Sequence, residues 1–144
     1  MELLKEAIVD KPADLAPLAA ELIMLLAEHP VCFFYGPIGA GKTTFVQAIC
    51  AQMGVQEEVT SPSYALVNTY VDKNGQPIYH LDLYRLQSAE EAWQIGVEEY
   101  LYGDGCCFVE WPELIESLLN DLAALVVKID VLDSTRRKIS IFET

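Results

Sequence analysis

An α/β domain, with a mixed and mostly parallel sheet flanked by helices, is the architecture this sequence predicts, on three observations. The run Val31-Cys32-Phe33-Phe34-Tyr35 is continuously apolar, the pattern of a strand buried on both faces of a parallel sheet. A glycine-rich loop follows it at once, and a helical stretch follows the loop. Two further strand-like runs, Tyr64 to Asp72 and Pro77 to Leu83, flank Asn74-Gly75, a dipeptide that favours a tight turn, and so add an antiparallel hairpin insertion. The chain has 144 residues, 52% of them apolar, which is the size of one domain with one core. No repeat, low-complexity linker or composition break divides residues 1–144.

Taken in order, the elements read as follows. Between Asp14 and Glu28, Leu15, Leu18, Leu22, Leu25 and Leu26 fall at helical spacing, and Pro30 lies just past the end, where a helix stops. After the strand and loop, Thr44 to Met53 reads as a helix closed by Gly54. Past the hairpin, Ser88-Ala89-Glu90-Glu91 has the S-x-x-E capping pattern and opens a helix expected to reach Leu101. Cys106-Cys107-Phe108-Val109 is a second short apolar strand, ending at Glu110. Pro112 suits the first turn of a helix running to Asp121. Leu125 to Leu132 and Lys138 to Phe142 alternate in polarity around Asp133-Ser134, which predicts a terminal hairpin.

Composition excludes several function classes. The formal net charge is −13, with only nine Lys and Arg, so the surface repels phosphate backbones and direct nucleic-acid binding is disfavoured unless charge is strongly segregated. The four cysteines, Cys32, Cys50, Cys106 and Cys107, contain no C-x-x-C pair and read as small hydrophobes in a reducing compartment. The N-terminus lacks the charge pattern of a signal peptide, and no apolar run approaches the roughly 20 residues that span a bilayer. A cytoplasmic protein without membrane attachment is the expectation.

Chemistry enters at Gly36-Pro37-Ile38-Gly39-Ala40-Gly41-Lys42-Thr43, which fits G-x-x-x-x-G-K-[ST] in full, the signature of a P-loop NTPase fold. A chance match in a chain this long is on the order of one in a few hundred, and the strand before and helix after supply the required context. Gly36, Gly39, Ala40 and Gly41 let the backbone curl so that N–H groups face phosphate oxygens, and the helix opening near Lys42 adds its positive dipole end. Lys42 is expected to reach the β- and γ-phosphates of ATP, Thr43 to bind Mg²⁺ through its hydroxyl, and Thr44 to complete the loop. The glycine order differs from that of a dinucleotide fingerprint.

A P-loop nucleotide needs a carboxylate near its Mg²⁺ at the end of a neighbouring strand. Asp82 ends Ile78-Tyr79-His80-Leu81, and Glu110 ends Cys106-Cys107-Phe108-Val109. Both qualify for the metal and for orienting water, and position alone does not divide the roles. Weaker signals surround them. Thr60, in Val59-Thr60-Ser61-Pro62-Ser63-Tyr64, is a switch candidate in what otherwise reads as a Ser/Pro turn. His80 shares a strand face with Asp82 but reads first as a core or edge histidine, and His29 reads as a surface residue. Trp111 follows Glu110 and is placed to line a nucleotide pocket.

Together these motifs resemble the TsaE (YjeE) family, bacterial ATPases of tRNA threonylcarbamoyladenosine biosynthesis. The resemblance rests on Gly39-Ala40-Gly41-Lys42-Thr43-Thr44-Phe45, Thr60-Ser61-Pro62-Ser63-Tyr64, His80-Leu81-Asp82-Leu83-Tyr84-Arg85-Leu86 and Val109-Glu110-Trp111-Pro112-Glu113, in this order. It implies a P-loop fold with a mixed sheet, ATP hydrolysis, and the protein partners TsaB and TsaD, whose complex such a subunit supports. By position it also implies that Lys42 holds phosphates, that Thr43, Asp82 and Glu110 serve the metal and hydrolysis, that Thr60 is the switch residue, and that Trp111 lies near the nucleotide. Two positions depart from the family pattern. Pro37-Ile38 replaces an acidic-then-apolar pair, which removes one N–H from the loop, and Leu114 stands where an arginine often follows W-P-E. Two other readings share the loop: a small-molecule kinase, for which the three arginines Arg85, Arg136 and Arg137 are few, and a nucleotide-dependent binding module with incidental hydrolysis.

Overall fold

The computed structural model describes all residues, Met1–Thr144, and contains one seven-stranded mixed sheet. Its strands are β1 (Glu2–Val9), β2 (Val31–Tyr35), β3 (Val67–Val71), β4 (Pro77–Asp82), β5 (Cys106–Glu110), β6 (Ala124–Val131) and β7 (Arg137–Glu143). They lie in the order β1-β7-β6-β2-β5-β4-β3. The central four, β6, β2, β5 and β4, pair in parallel, and the flanking pairings are antiparallel. The β3–β4 hairpin is thus joined to the sheet through β4, which is itself one of the parallel set. Its connection is longer than the Asn74-Gly75 dipeptide suggested: Asp72 Oδ1 accepts the backbone N–H groups of Asn74 and Gln76.

Alternation along β2 divides the interior. Cys32 and Phe34 face a core of 21 buried residues beneath α1 (Leu15–Leu25) and α2 (Lys42–Gln52). Phe34 meets Phe45 and Phe108 edge-on, with centroids 6.1 and 6.0 Å apart, an arrangement favoured by the ring quadrupoles. Val31 and Phe33 face a second core of 12 residues beneath α3 (Ala89–Gln94), α4 (Val97–Leu101) and the segment Pro112–Asp121.

Three expectations are corrected and one strand is added. The helix opening at Ser88 does start there, with the Ser88 hydroxyl accepting the Glu91 N–H, but it breaks into α3 and α4 at Gly96, whose φ of 80° is left-handed. Pro112–Asp121 is a 3₁₀ helix; Pro112 and Ile115, its two buried residues, lie three apart, the period of that helix, and Ile115 enters the second core with Leu114, Leu118 and Leu119 packed against it. β1 was not foreseen, because its exposed residues carry no clean alternation and its pairing with β7 alone makes it a strand. His29 is largely buried rather than on the surface, its Nε2 3.3 Å from a Glu143 oxygen. The four cysteines are free; Cys32, Cys50 and Cys107 are buried, and burial pushes the Cys50 thiol up to about 12. No helix is long and apolar enough to cross a membrane.

Candidate functional site

The C-terminal ends of β2, β5 and β4 lie side by side, so whatever each strand carries at its end is brought together. β2 runs straight into Gly36, and β4 and β5 pair in a register that sets Asp82 beside Glu110. Between β2 and α2 the chain turns through Gly39 and Gly41 at φ of 77° and 106°, a region that L side chains rarely adopt, and a Cβ at either position meets nothing. These two glycines are therefore required by backbone conformation and not by crowding. The turn closes with the Ala40 N–H donating to Pro37 O at 3.0 Å.

The result is an open cleft of about 400 Å³ lined by Ile38, Gly39, Ala40, Gly41, Lys42, Thr43 and Thr44 on one side and Asp82, Glu110 and Trp111 on the other. Lys42 is 5% exposed although charged. Its Nζ donates to the carbonyls of Gly36 and Pro37 and lies 3.5 Å from the centroid of the Trp111 ring, a cation–π contact. Burial lowers its pKa, against the opposing pull of Glu110, Glu113 and Asp82. Trp111 itself adopts a left-handed φ of 55°, unusual for a large side chain, and packs on Tyr84 with centroids 4.8 Å apart.

The two carboxylates are buried and held differently. Glu110 accepts the Thr43 hydroxyl at 2.9 Å on both oxygens, and His80 Nε2 lies 2.5 Å from its Oε2. Asp82 accepts the Ser61 and Ser63 hydroxyls at 3.2 and 3.4 Å and the backbone N–H of Tyr84 at 3.0 Å. No cluster of three or more His, Cys, Asp or Glu could cage a metal. A hydroxyl and two carboxylates are instead the hard oxygen donors that suit Mg²⁺, an ion usually held by one or two carboxylates plus the phosphates it accompanies.

Of the residues named from sequence, Gly39, Ala40, Gly41, Lys42, Thr43, Thr44, Asp82, Glu110 and Trp111 meet in this one cleft. Gly36 lies at its base, its carbonyl on Lys42. Thr60 does not line it: the residue is exposed, and its carbonyl accepts from Asn68 Nδ2 at 3.3 Å. Ser61 and Ser63 from the same segment do line the cleft, and the spacing S-x-S was the available signal for them.

Sequence reasoning missed a second feature. The outer side of the same loop, Gly39, Ala40, Gly41 and Thr44, also lines a neighbouring cleft of about 350 Å³ walled by Val9, Leu15, Ile129 and Ile139 and edged by Lys11 and Arg137. Arg137, distant in sequence, donates to Ala40 O at 3.1 Å and so braces the loop from behind. Nothing in the local sequence of β1 or β7 announces this, since strand pairing alone brings the two ends together.

Comparison with known proteins bears on this geometry. Residues 9–139 match the family model described as threonylcarbamoyl adenosine biosynthesis protein TsaE. A tRNA threonylcarbamoyladenosine biosynthesis protein TsaE from Aquifex aeolicus is 36% identical over 144 residues, 99% of this chain and 98% of that one. Its counterpart from Treponema pallidum is 38% identical over 118 residues, 81% of this chain and 84% of the relative. Among solved structures, the crystal structure of YdiB from Bacillus subtilis superposes with a TM-score of 0.73 at 27% identity, covering 98% of this chain and 86% of that one.

Proposed function

The chain belongs to the TsaE family, and on that premise we propose that it binds and hydrolyses ATP with Mg²⁺ as a subunit needed for N6-threonylcarbamoyladenosine modification of tRNA. One observation carries the ATPase reading: three adjacent parallel strands end in a single cleft with a phosphate loop, a buried lysine and two buried carboxylates. The loop amides and Lys42 bind the phosphates, and Thr43, Asp82 and Glu110 hold Mg²⁺ and position the attacking water. Bound Mg²⁺ supplies charge neutralisation at the transferring phosphoryl group. The two clefts share Gly39, Ala40, Gly41 and Thr44, and in this reading one ligand spans both, with base and sugar against Val9, Leu15, Ile129 and Ile139.

The protein by itself is a slow ATPase in this reading, and TsaB and TsaD set its rate. Phosphoryl transfer gains on the order of 10³–10⁵-fold from an arginine on the developing charge. Here Arg85 lines the cleft but lies 4.0 Å over the Tyr64 ring, and Arg137 is engaged with the loop's outer carbonyls, so Lys42 is the cation held at the phosphate loop itself. The charge of −13 favours a basic partner face and leaves the tRNA to the partners. Steady-state ATPase is to be measured for the isolated protein and with TsaB and TsaD, at low and high salt. Slow turnover, raised by the partners and less so at high salt, is expected. Fast turnover indifferent to the partners defeats the partner-dependence.

A further inference from the structure

His80 is fully buried, yet both ring nitrogens have partners, and following the hydrogens through them yields a chain that crosses three strands. Glu110 as a carboxylate only accepts, so Nε2, 2.5 Å from its Oε2, carries a proton and donates it. In the neutral ring Nδ1 then accepts, and its neighbour at 3.2 Å is the Tyr70 hydroxyl; that hydroxyl also lies 3.3 Å from Thr60 O, and in this arrangement it gives its hydrogen to the nearer nitrogen. With its one hydrogen spent, Tyr70 is itself an acceptor, and Asn68 Nδ2 lies 3.3 Å away to donate. The same Asn68 amide, with two hydrogens, also donates to Thr60 O at 3.3 Å. With Tyr70 donating to His80, the bonds run one way, from Asn68 to Tyr70 to His80 to Glu110, and the Thr60 carbonyl is held by Asn68 and lies within reach of Tyr70 as well. This is the arrangement in which successive bonds polarise one another.

We propose that His80 is the positioning residue of this site: with Tyr70 and Asn68 it locks the Glu110 carboxylate in one orientation and ties the Thr60–Ser63 segment to it. His80 grips Oε2 alone, while the Thr43 hydroxyl reaches both oxygens at 2.9 Å, so Oε1 is the oxygen that has no histidine partner. At the far end the tether holds the carbonyl of Thr60, one residue before Ser61, whose hydroxyl donates to Asp82. The chain thereby fixes both carboxylates relative to each other, one directly and one through the loop. His80 touches no reacting atom in this scheme and acts through Glu110. The inference rests on the ATPase reading and deepens it by naming what orients the carboxylate.

The test combines kinetics with the imidazole ¹⁵N spectrum, using His80→Leu, His80→Gln and Tyr70→Phe. In the wild type the ring is expected in the Nε2–H form. His80→Leu should lower kcat for ATP roughly 10–100-fold, the usual cost of losing an outer-shell partner, with ATP affinity read from Trp111 fluorescence little changed. His80→Gln keeps a donor within reach of Glu110 and should recover most of that loss. Tyr70→Phe, which removes one hydroxyl and is the variant to rely on if His80→Leu does not fold, should cost less and shift the ring away from a pure Nε2–H form. An Nδ1–H ring in the wild type, or equal kcat in the wild type and all three variants, overturns the inference and leaves the ATPase reading standing. A wild type without turnover, partners included, overturns both.

Discussion

The two clefts that meet at the phosphate loop differ in kind. On the inner side the lining is chemical: Lys42, Thr43, Asp82 and Glu110, all placed by strand ends and the first turn of α2. On the outer side it is a pocket of shape, with Val9, Leu15, Ile129 and Ile139 and an arginine that contacts backbone rather than the cavity's centre. Shape binds ground state and transition state alike, whereas charge placed on the transferring group discriminates between them. The inner cleft should therefore govern rate as well as affinity, and the outer cleft affinity alone.

The largest effect expected is at Lys42, because it serves both. Lys42→Ala should weaken ATP binding roughly 100-fold, the equivalent of two charge-assisted hydrogen bonds at about 1.5 kcal/mol each. Calorimetric titration of the folded mutant checks this, and an affinity equal to the wild type's removes Lys42 from the site. Next come Asp82→Ala and Glu110→Ala, which should each cut turnover about 10–100-fold while ATP affinity falls much less. Turnover at the wild-type rate in both would make these carboxylates structural and dissolve the contrast between the clefts.

A smaller effect is expected from the outer side. Arg137→Ala removes the brace on the Ala40 and Gly39 carbonyls, 3.1 and 3.5 Å from the guanidinium, and should raise KM roughly three- to tenfold at constant kcat. A fall in kcat instead would show that the loop's outer face also shapes the transition state.

The smallest effect concerns pH. Burial holds the Lys42 pKa below the ordinary lysine value of 10.5. The folded protein thus releases this proton before the unfolded chain does, and the penalty for a buried ammonium is relieved as pH rises through the folded pKa towards 10.5. Lys42 therefore contributes a gain in stability with rising alkaline pH, while ATP affinity falls over the same interval as the ammonium is lost. Thermal unfolding and ATP titration across alkaline pH, with Lys42→Met as control, should move in these opposite directions for the wild type only.

Legibility differed between the clefts for a physical reason. The inner one could be read because each part is local. Gly39 and Gly41 satisfy a backbone requirement, Lys42 and Thr43 sit on the first helical turn, and Asp82 and Glu110 close recognisable strands. The outer one joins the end of β1 to the start of β7, residues separated by most of the chain and brought together by the Val9–Arg137 register. His80 lies between these cases. Its shared face with Asp82 follows from strand periodicity, but its hold on Glu110 depends on β4 lying beside β5.

By itself, then, the sequence determined the phosphate loop, the strand ends that carry the carboxylates, the terminal hairpin and the family likeness, since each is written in contiguous residues whose backbone chemistry is local. Tertiary structure alone decided the rest. It made a strand of Glu2–Val9, whose side chains are mostly exposed and whose order comes from hydrogen bonds to β7. It placed Arg137 behind the loop, set Ser61 and Ser63 rather than Thr60 against Asp82, and aligned Asn68, Tyr70, His80 and Glu110. Each of these depends on which strands become neighbours, and that choice is settled by burial and sheet pairing over the whole chain, not by any segment of it.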